Sequence, residues 1–318
     1  MTGVQTCALP ICGLAFINTL INNYDFEQLL PNINIRTPKT SIIGTDEFEY
    51  FIDRNKLHDK VMNGLDYEQV KRIFVEASLT ETLIKRLRIL LKYITNPIAI
   101  RSSGLFEDSM MQPFAGIFET YLLPNNDPDF NIRLKQAMDA IKLVYASVYS
   151  KVARGYIEAI NYKLEEEKMA VVIQEVVGNR FEDCYYPHIS GVAQSYNYYP
   201  FAHMKPEEGF AVAALGLGKQ VVEGGKAYRF SPKYPTTEIN TPADQYKNSQ
   251  IDFYAVDLSK KEINLMEGDT AGLTKPDLDD AERHGTLRHL ASVYDVDNHR
   301  IVPGLTQPGP RIINFSNI

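Results

Sequence analysis

Pro97-Ile-Ala-Ile-Arg101-Ser-Ser-Gly-Leu-Phe-Glu-Asp108, followed by Phe114-Ala-Gly-Ile-Phe-Glu-Thr-Tyr-Leu122, decides how this chain is read. The short apolar run at 98–100 predicts a buried strand that ends at Arg101 and two serines. A guanidinium at a strand end, with hydroxyls and a glycine beside it, suits a phosphate. Its planar fork grips two phosphate oxygens with parallel hydrogen bonds, which an ammonium does not do. Ser102 and Ser103 supply hydroxyls, and Gly116 permits close approach of backbone to a ligand. Local chemistry also allows the plainer alternative, a surface ion pair at Arg101.

Outward from this stretch, apolar spacing predicts helices over 13–30 (closed by Pro31), 65–77, 79–94, 129–150 and 151–162. A further helix opens at Thr45, where Asp46 and Glu47 complement the helix dipole. Leu83, Leu87, Leu90, Leu91 and Ile94 read as core packing, as do Phe130, Leu134, Met138, Ile141 and Tyr145. The glutamate-rich run at 163–168 reads as a solvated connection. Strands are expected at 40–43, 169–174, 192–197, 226–230 and 251–256. Helices and strands interleave without βαβ regularity, which predicts an α+β fold rather than a doubly wound sheet.

The 318 residues suffice for one large or two modest domains with a core, and 44% hydrophobic with 23% charged residues is ordinary for a globular protein. A net charge of −7 argues against a general nucleic-acid or membrane-surface binder. No apolar run approaches the ~20 residues needed to cross a bilayer, so a soluble, cytoplasmic protein is expected. The six histidines are scattered, and His284 with His289 has the wrong spacing for a helical metal pair. We therefore expect structural or surface histidines and no metal ligands in this chain.

Residues 1–11, Met-Thr-Gly-Val-Gln-Thr-Cys-Ala-Leu-Pro-Ile, are what a common sequencing-library adapter encodes when its first GTG is taken as a start. Cys12 then reads as the junction codon. Residues 1–12 are thus expected to be an adapter artefact, and residues 13–318 a domain cut at both ends. Of the three cysteines only Cys184 remains to be interpreted, so no disulfide framework is argued.

Three ordered blocks carry a resemblance. The first is Ile100-Arg101-Ser102-Ser103, then Glu107-Asp108, then Phe114-Ala115-Gly116 and Glu119-Thr120-Tyr121. The second is Met169-Ala-Val-Val-Ile-Gln174-Glu-Val-Val177 followed by Ser190-Gly-Val192. The third is Glu207-Glu-Gly-Phe-Ala-Val-Ala-Ala-Leu-Gly216-Leu-Gly218-Lys-Gln-Val-Val-Glu-Gly224. Together they resemble the ATP-binding domain of phosphoenolpyruvate synthase and pyruvate phosphate dikinase.

The resemblance implies an ATP-grasp-like fold and ATP as ligand. The second block would be an adenine-side strand pair, with Gln174 and the backbone near Val176 on the base. The third would be a glycine-bearing helix and turn, although Gly216-x-Gly218 alone reads more simply as a helix C-cap. Arg101 would grip the phosphates as the catalytic residue, with Ser102, Gly116 and Thr120 contributing. Residues 107–116 would close over them as a lid, in which Met110-Met111-Gln112-Pro113 departs from the smaller residues of the family. A Gly-Gly-Lys turn is expected before Gly13, and the paired glutamates that hold Mg2+ beyond residue 318. The family phosphorylates a histidine on a mobile domain and then pyruvate; the isolated chain is expected to be inactive. The alternatives are a nucleotide-sensing regulatory module, or a related dikinase acting on another acceptor.

Overall fold

The structure is a computed structural model describing residues 9–61, 65–104, 116–159, 163–201, 203–235, 237, 240–260 and 262–316. Helices and antiparallel sheets alternate along the chain, and the fold is a mixed helix-and-sheet one, as expected. The chain forms two compact units, Met1–Val176 with Lys260–Gly272, and Val177–Ser259 with Leu273–Ile318. The second stretch of the first unit is therefore reached only after the chain has passed through most of the second.

The first unit holds helices α1 (Leu9–Asn23), α2 (Phe26–Leu29), α3 (Thr45–Arg54), α4 (Leu57–Val61), α5 (Tyr67–Glu76), α6 (Glu81–Tyr93), α7 (Phe130–Ser147) and α8 (Lys151–Ala159). Its strands are β1 (Thr40–Ile43), β2 (Ile98–Gly104), β3 (Thr120–Leu123) and β4 (Met169–Glu175), in one antiparallel sheet of order β1-β4-β2-β3. Start signals act as the sequence suggests. Asp66 and Gln69 close a reciprocal capping box on α5, and Thr80 caps α6 by accepting from the Leu83 N–H.

Helix α7 is the pivot of the core and packs against β2, β3, β4, α5 and α6. From Ala140 to Ser147 it is buried on every side, a wider contact than the single face its periodicity predicts. Tyr145 stands among Phe48 and Phe51 at ring distances of 5.1 and 5.4 Å, and Phe74 links Phe51 to Tyr149 at 5.7 and 5.5 Å. Tilted and edge-on pairs of this kind add to the burial energy of large rings. Leu265 and Ala271, from the returning stretch, complete the same core, and Lys71 Nζ donates to the Met266 carbonyl at 2.8 Å.

The second unit is built from short pieces. Strands β5 (Asn179–Phe181), β6 (Cys184–Tyr186), β10 (Ala255–Asp257) and β11 (Leu273–Thr274) form a sheet of order β11-β10-β6-β5. A second sheet joins β7 (Ser190–Gln194), β8 (Phe210–Ala214) and β9 (Tyr228–Phe230). A third orders β12 (Ala291–Asp295) between β13 (Arg300–Val302) and β14 (Arg311–Ile313). Helices α9 (Lys219–Val222), α10 (Pro242–Asn248) and α11 (Leu278–Arg283) connect them.

Several expectations need correction. The helix expected over 13–30 is two helices, because Asn22, Asn23 and Asp25 favour caps over helix interiors. The connection at 163–168 is not wholly solvated: Glu167 is 3% exposed. The third block is no helix before its glycines. Residues 210–214 are β8, and an unbroken run such as Phe-Ala-Val-Ala-Ala has no period to separate strand from helix. Gly216 and Gly218 are accordingly not a C-cap. Gly216 turns the chain out of β8 at φ +86°, and Gly218 is the N-cap of α9. Finally, the second block is not a strand pair, since β4 belongs to the first sheet and β7 pairs with β8.

Candidate functional site

Strand β2 does not end at Arg101. Its ladder with β4 runs unbroken from Ile98 opposite Glu175 to Gly104 opposite Met169. Alternation then sorts the side chains. Ile98 and Ile100 enter the core with Val171, Ile173, Tyr121 and Leu123. Residues directly opposite in an antiparallel pair share a face. Arg101 lies opposite Thr120 of β3 and Val172 of β4, and Gln174 lies opposite Ala99 and Thr40. Arg101, Thr120, Gln174 and Thr40 therefore stand together on the face away from the core, one from each of the four strands.

The side chains on this face are connected. Gln174 Nε2 donates to Thr40 Oγ1 at 3.1 Å, and Arg101 Nη1 donates to Gln174 Oε1 at 3.4 Å. Arg101 is exposed, with Thr120 and Gln174 half-buried beside it. The donor set is one guanidinium, two hydroxyls and an amide, with no carboxylate on these four positions. That chemistry fits an anion such as a phosphate, and it lacks the carboxylates that most often hold a divalent cation.

Of the remaining expected residues, Ser102 points the other way. It is 7% exposed and faces the core side of β2, so it does not join Arg101 on the other face. Taking the strand to end at Arg101 hid this alternation. Gly116 has φ +82° and open space where a Cβ would be. Val176 lies just beyond β4, is 8% exposed, and donates its N–H to the Pro97 carbonyl at 2.8 Å. The lid expected from Glu107, Asp108 and Met110-Met111-Gln112-Pro113, together with Phe114 and Ala115, lies outside the described residues. Among the described residues no group of three or more His, Cys, Asp or Glu is arranged to hold a metal ion.

Thr40 escaped the sequence reading. Its strand was foreseen, but nothing in the sequence announces that β1 would pair with β4. A second arrangement was also missed, beneath Thr120. Glu119, half-buried on the core side, accepts the Tyr67 hydroxyl at 2.9 Å and the Tyr121 hydroxyl in a short contact. Burial first, and the Glu119 charge second, hold both phenols protonated far above the usual tyrosine range.

Residues 22–295 match the family described as pyruvate phosphate dikinase, AMP/ATP-binding domain. The chain belongs to this family. Its match to the AMP/ATP-binding domain covers Arg101, Thr120, Gln174 and Thr40. Among curated relatives, the phosphoenolpyruvate synthase of Deinococcus radiodurans is 26% identical over 218 residues, covering 62% of this chain and 25% of that protein. A protein of Bacillus subtilis named uncharacterized phosphotransferase YvkC is 27% identical over 194 residues, 59% of this chain and 20% of its own length. The phosphoenolpyruvate synthase of Aeropyrum pernix is 28% identical over 204 residues, 63% and 22% respectively. The chain thus spans a quarter or less of the curated relatives it matches. No helix among the described residues is long and apolar enough to cross a membrane.

Proposed function

We propose that this AMP/ATP-binding domain takes ATP as the nucleotide-binding part of a phosphoenolpyruvate synthase-like or dikinase-like phosphotransferase. The observation that carries the reading is the cross-strand group of Arg101, Thr120, Gln174 and Thr40 on the face of the four-stranded sheet away from the core, inside the matched domain. In this reading Arg101 grips phosphate oxygens and is the catalytic residue. Thr120 adds a hydroxyl, Gly116 lets backbone approach the phosphates, and Gln174 with the backbone at Val176 meets the adenine. Ser102 contributes from below, by holding β2 in place rather than by touching the nucleotide.

The rest of the reading follows the family resemblance of the sequence, with two relatives named phosphoenolpyruvate synthase in support. The complete protein would use ATP to phosphorylate a histidine on a mobile domain and pass the phosphoryl group to pyruvate. Such transfer depends on positioning and charge neutralisation, shared by Arg101 with Mg2+. None of these four residues is a carboxylate, so in this reading the magnesium ligands come from other residues. We assign an ATP-grasp-like fold, a cytoplasmic location, an adapter origin for residues 1–12 and a domain over 13–318 on the same footing.

Arg101→Ala in the complete protein tests the assignment. Phosphotransfer should be abolished while the far-ultraviolet circular dichroism and thermal midpoint stay at wild type; undiminished transfer would remove Arg101 from the mechanism. The 318-residue chain on its own should show no steady ATP turnover.

A further inference from the structure

Thr120 is the first residue of β3, and its pair with Arg101 is the last rung of the β2–β3 ladder. Among the described residues no further rung of this ladder lies on the N-terminal side of the pair. Residues on either side of Thr120 face the core instead, and both take part in one contact. Glu119 accepts the Tyr67 hydroxyl on one carboxylate oxygen and the Tyr121 hydroxyl on the other. Tyr121 is 1% exposed and fixed in the core. Tyr67 is the first residue of α5, which the Asp66–Gln69 capping box anchors at 2.8 and 3.0 Å. The carboxylate thus ties the start of a strand to the start of a helix 52 residues away in sequence.

We propose that Glu119, clamped between Tyr67 and Tyr121, is a positioning residue for the phosphate end of the nucleotide. It touches no ligand. By fixing the open end of β3 from the core side, it sets where Thr120 stands relative to Arg101 on the other side of the sheet. Charge-assisted hydrogen bonds from two phenols suit this role, because they are stronger and more directional than neutral ones. The inference rests on the ATP reading given above and adds to it a residue whose effect is confined to phosphate recognition.

The test is calorimetric titration of the complete protein with MgATP and, separately, with adenosine. Tyr67→Phe deletes one hydroxyl from a half-buried ring. It should weaken ATP by about threefold to tenfold, the value of one hydrogen bond, and leave adenosine unchanged. Glu119→Ala should lose more, and Glu119→Gln, which keeps one acceptor oxygen, should recover part of that loss. Equal losses for ATP and adenosine would mean a purely structural clamp and overturn the proposal, as would unchanged ATP affinity in both Tyr67→Phe and Glu119→Ala. Arg101→Ala separates the two levels of the argument. If it weakens ATP while the clamp variants do not, only this inference falls. If wild type binds ATP no better than adenosine, or Arg101→Ala binds ATP as wild type does, the nucleotide reading falls and takes the inference with it.

Discussion

Gln174 stands between Thr40 and Arg101, donating to the first with its amide nitrogen at 3.1 Å and accepting from the second with its amide oxygen at 3.4 Å. The amide orients the guanidinium without neutralising it, so the charge remains available to an anion. Gln174→Glu removes that property. It gives Arg101 a carboxylate partner in nearly the same volume and should weaken ATP by about tenfold, roughly the Coulomb effect of one added charge near a partly solvated site. Thermal stability should hardly change, since an exposed ion pair contributes about 0–1 kcal/mol. ATP titration of the variant at low and moderate salt checks this, and affinity equal to wild type would count against an anion on this face.

Tyr145 concerns stability alone. The ring is fully buried among Phe48 and Phe51, and its hydroxyl has no hydrogen-bond partner among the described residues. A buried hydroxyl left unpaired carries a desolvation cost of about 1–3 kcal/mol. Tyr145→Phe should therefore unfold in urea at the wild-type midpoint or above it. Phe51→Ala, which opens a cavity in the same cluster, should lose about 3–5 kcal/mol.

Gly216 is irreplaceable for two separate reasons. Its φ of +86° is left-handed, and a Cβ there would lie 2.7 Å from Phe253 Cδ2 and 2.8 Å from the Tyr254 carbonyl oxygen. That same carbonyl accepts the Leu217 N–H at 2.9 Å, so it has no room to retreat. Gly216→Ala should destabilise by more than the ~1–2 kcal/mol of the backbone conformation alone. Gly116→Ala offers the contrast, with similar φ but open space, and should lose only the backbone contribution. Denaturant midpoints of the two variants give the comparison.

Cys184 should be a poor nucleophile at neutral pH. Burial pushes its thiol up to about 11, and the carboxylates of Asp257, Asp280, Asp183 and Glu182 push in the same direction. Relative to an ordinary thiol near 8.5, the thiolate fraction at pH 7.5 falls by roughly three hundredfold. Alkylation followed by peptide mapping should show Cys184 labelling slowly at pH 7.5 and accelerating up to about pH 11. Rapid labelling at pH 7.5 would contradict the arrangement of carboxylates around it.

The first unit was more legible in the sequence than the second, and the reason is length. The strand at 40–43, the helices begun by Thr45, Asp66 and Thr80, and the long α7 each carry a period or a cap that acts locally. Strands of two or three residues, such as β5, β6, β11 and β13, are too short to show any period, and only pairing across the sheet creates them. The same limit applies to the site. Arg101 is a candidate from the sequence because a guanidinium announces its chemistry, and Thr120 because of the family resemblance. Thr40 and the Tyr67–Glu119 contact are not, because each depends on a partner far away in sequence. Ser102 was misplaced by a single boundary: once β2 runs through Arg101, neighbours in sequence must face opposite sides.

The stretch Lys260–Gly272 belongs to the first unit although it follows Val177–Ser259 along the chain. Leu265 and Ala271 enter the first core, and the Met266 carbonyl is the acceptor for the 4% exposed Lys71. During synthesis, units emerge from the ribosome in order and the earlier one generally folds first. Here the earlier unit is still lacking part of its interior when the later one has begun to appear. A nascent chain stopped at Val176 would leave the Lys71 ammonium without its carbonyl and the core open, and is therefore expected to be a client for chaperones until residue 272 has been translated.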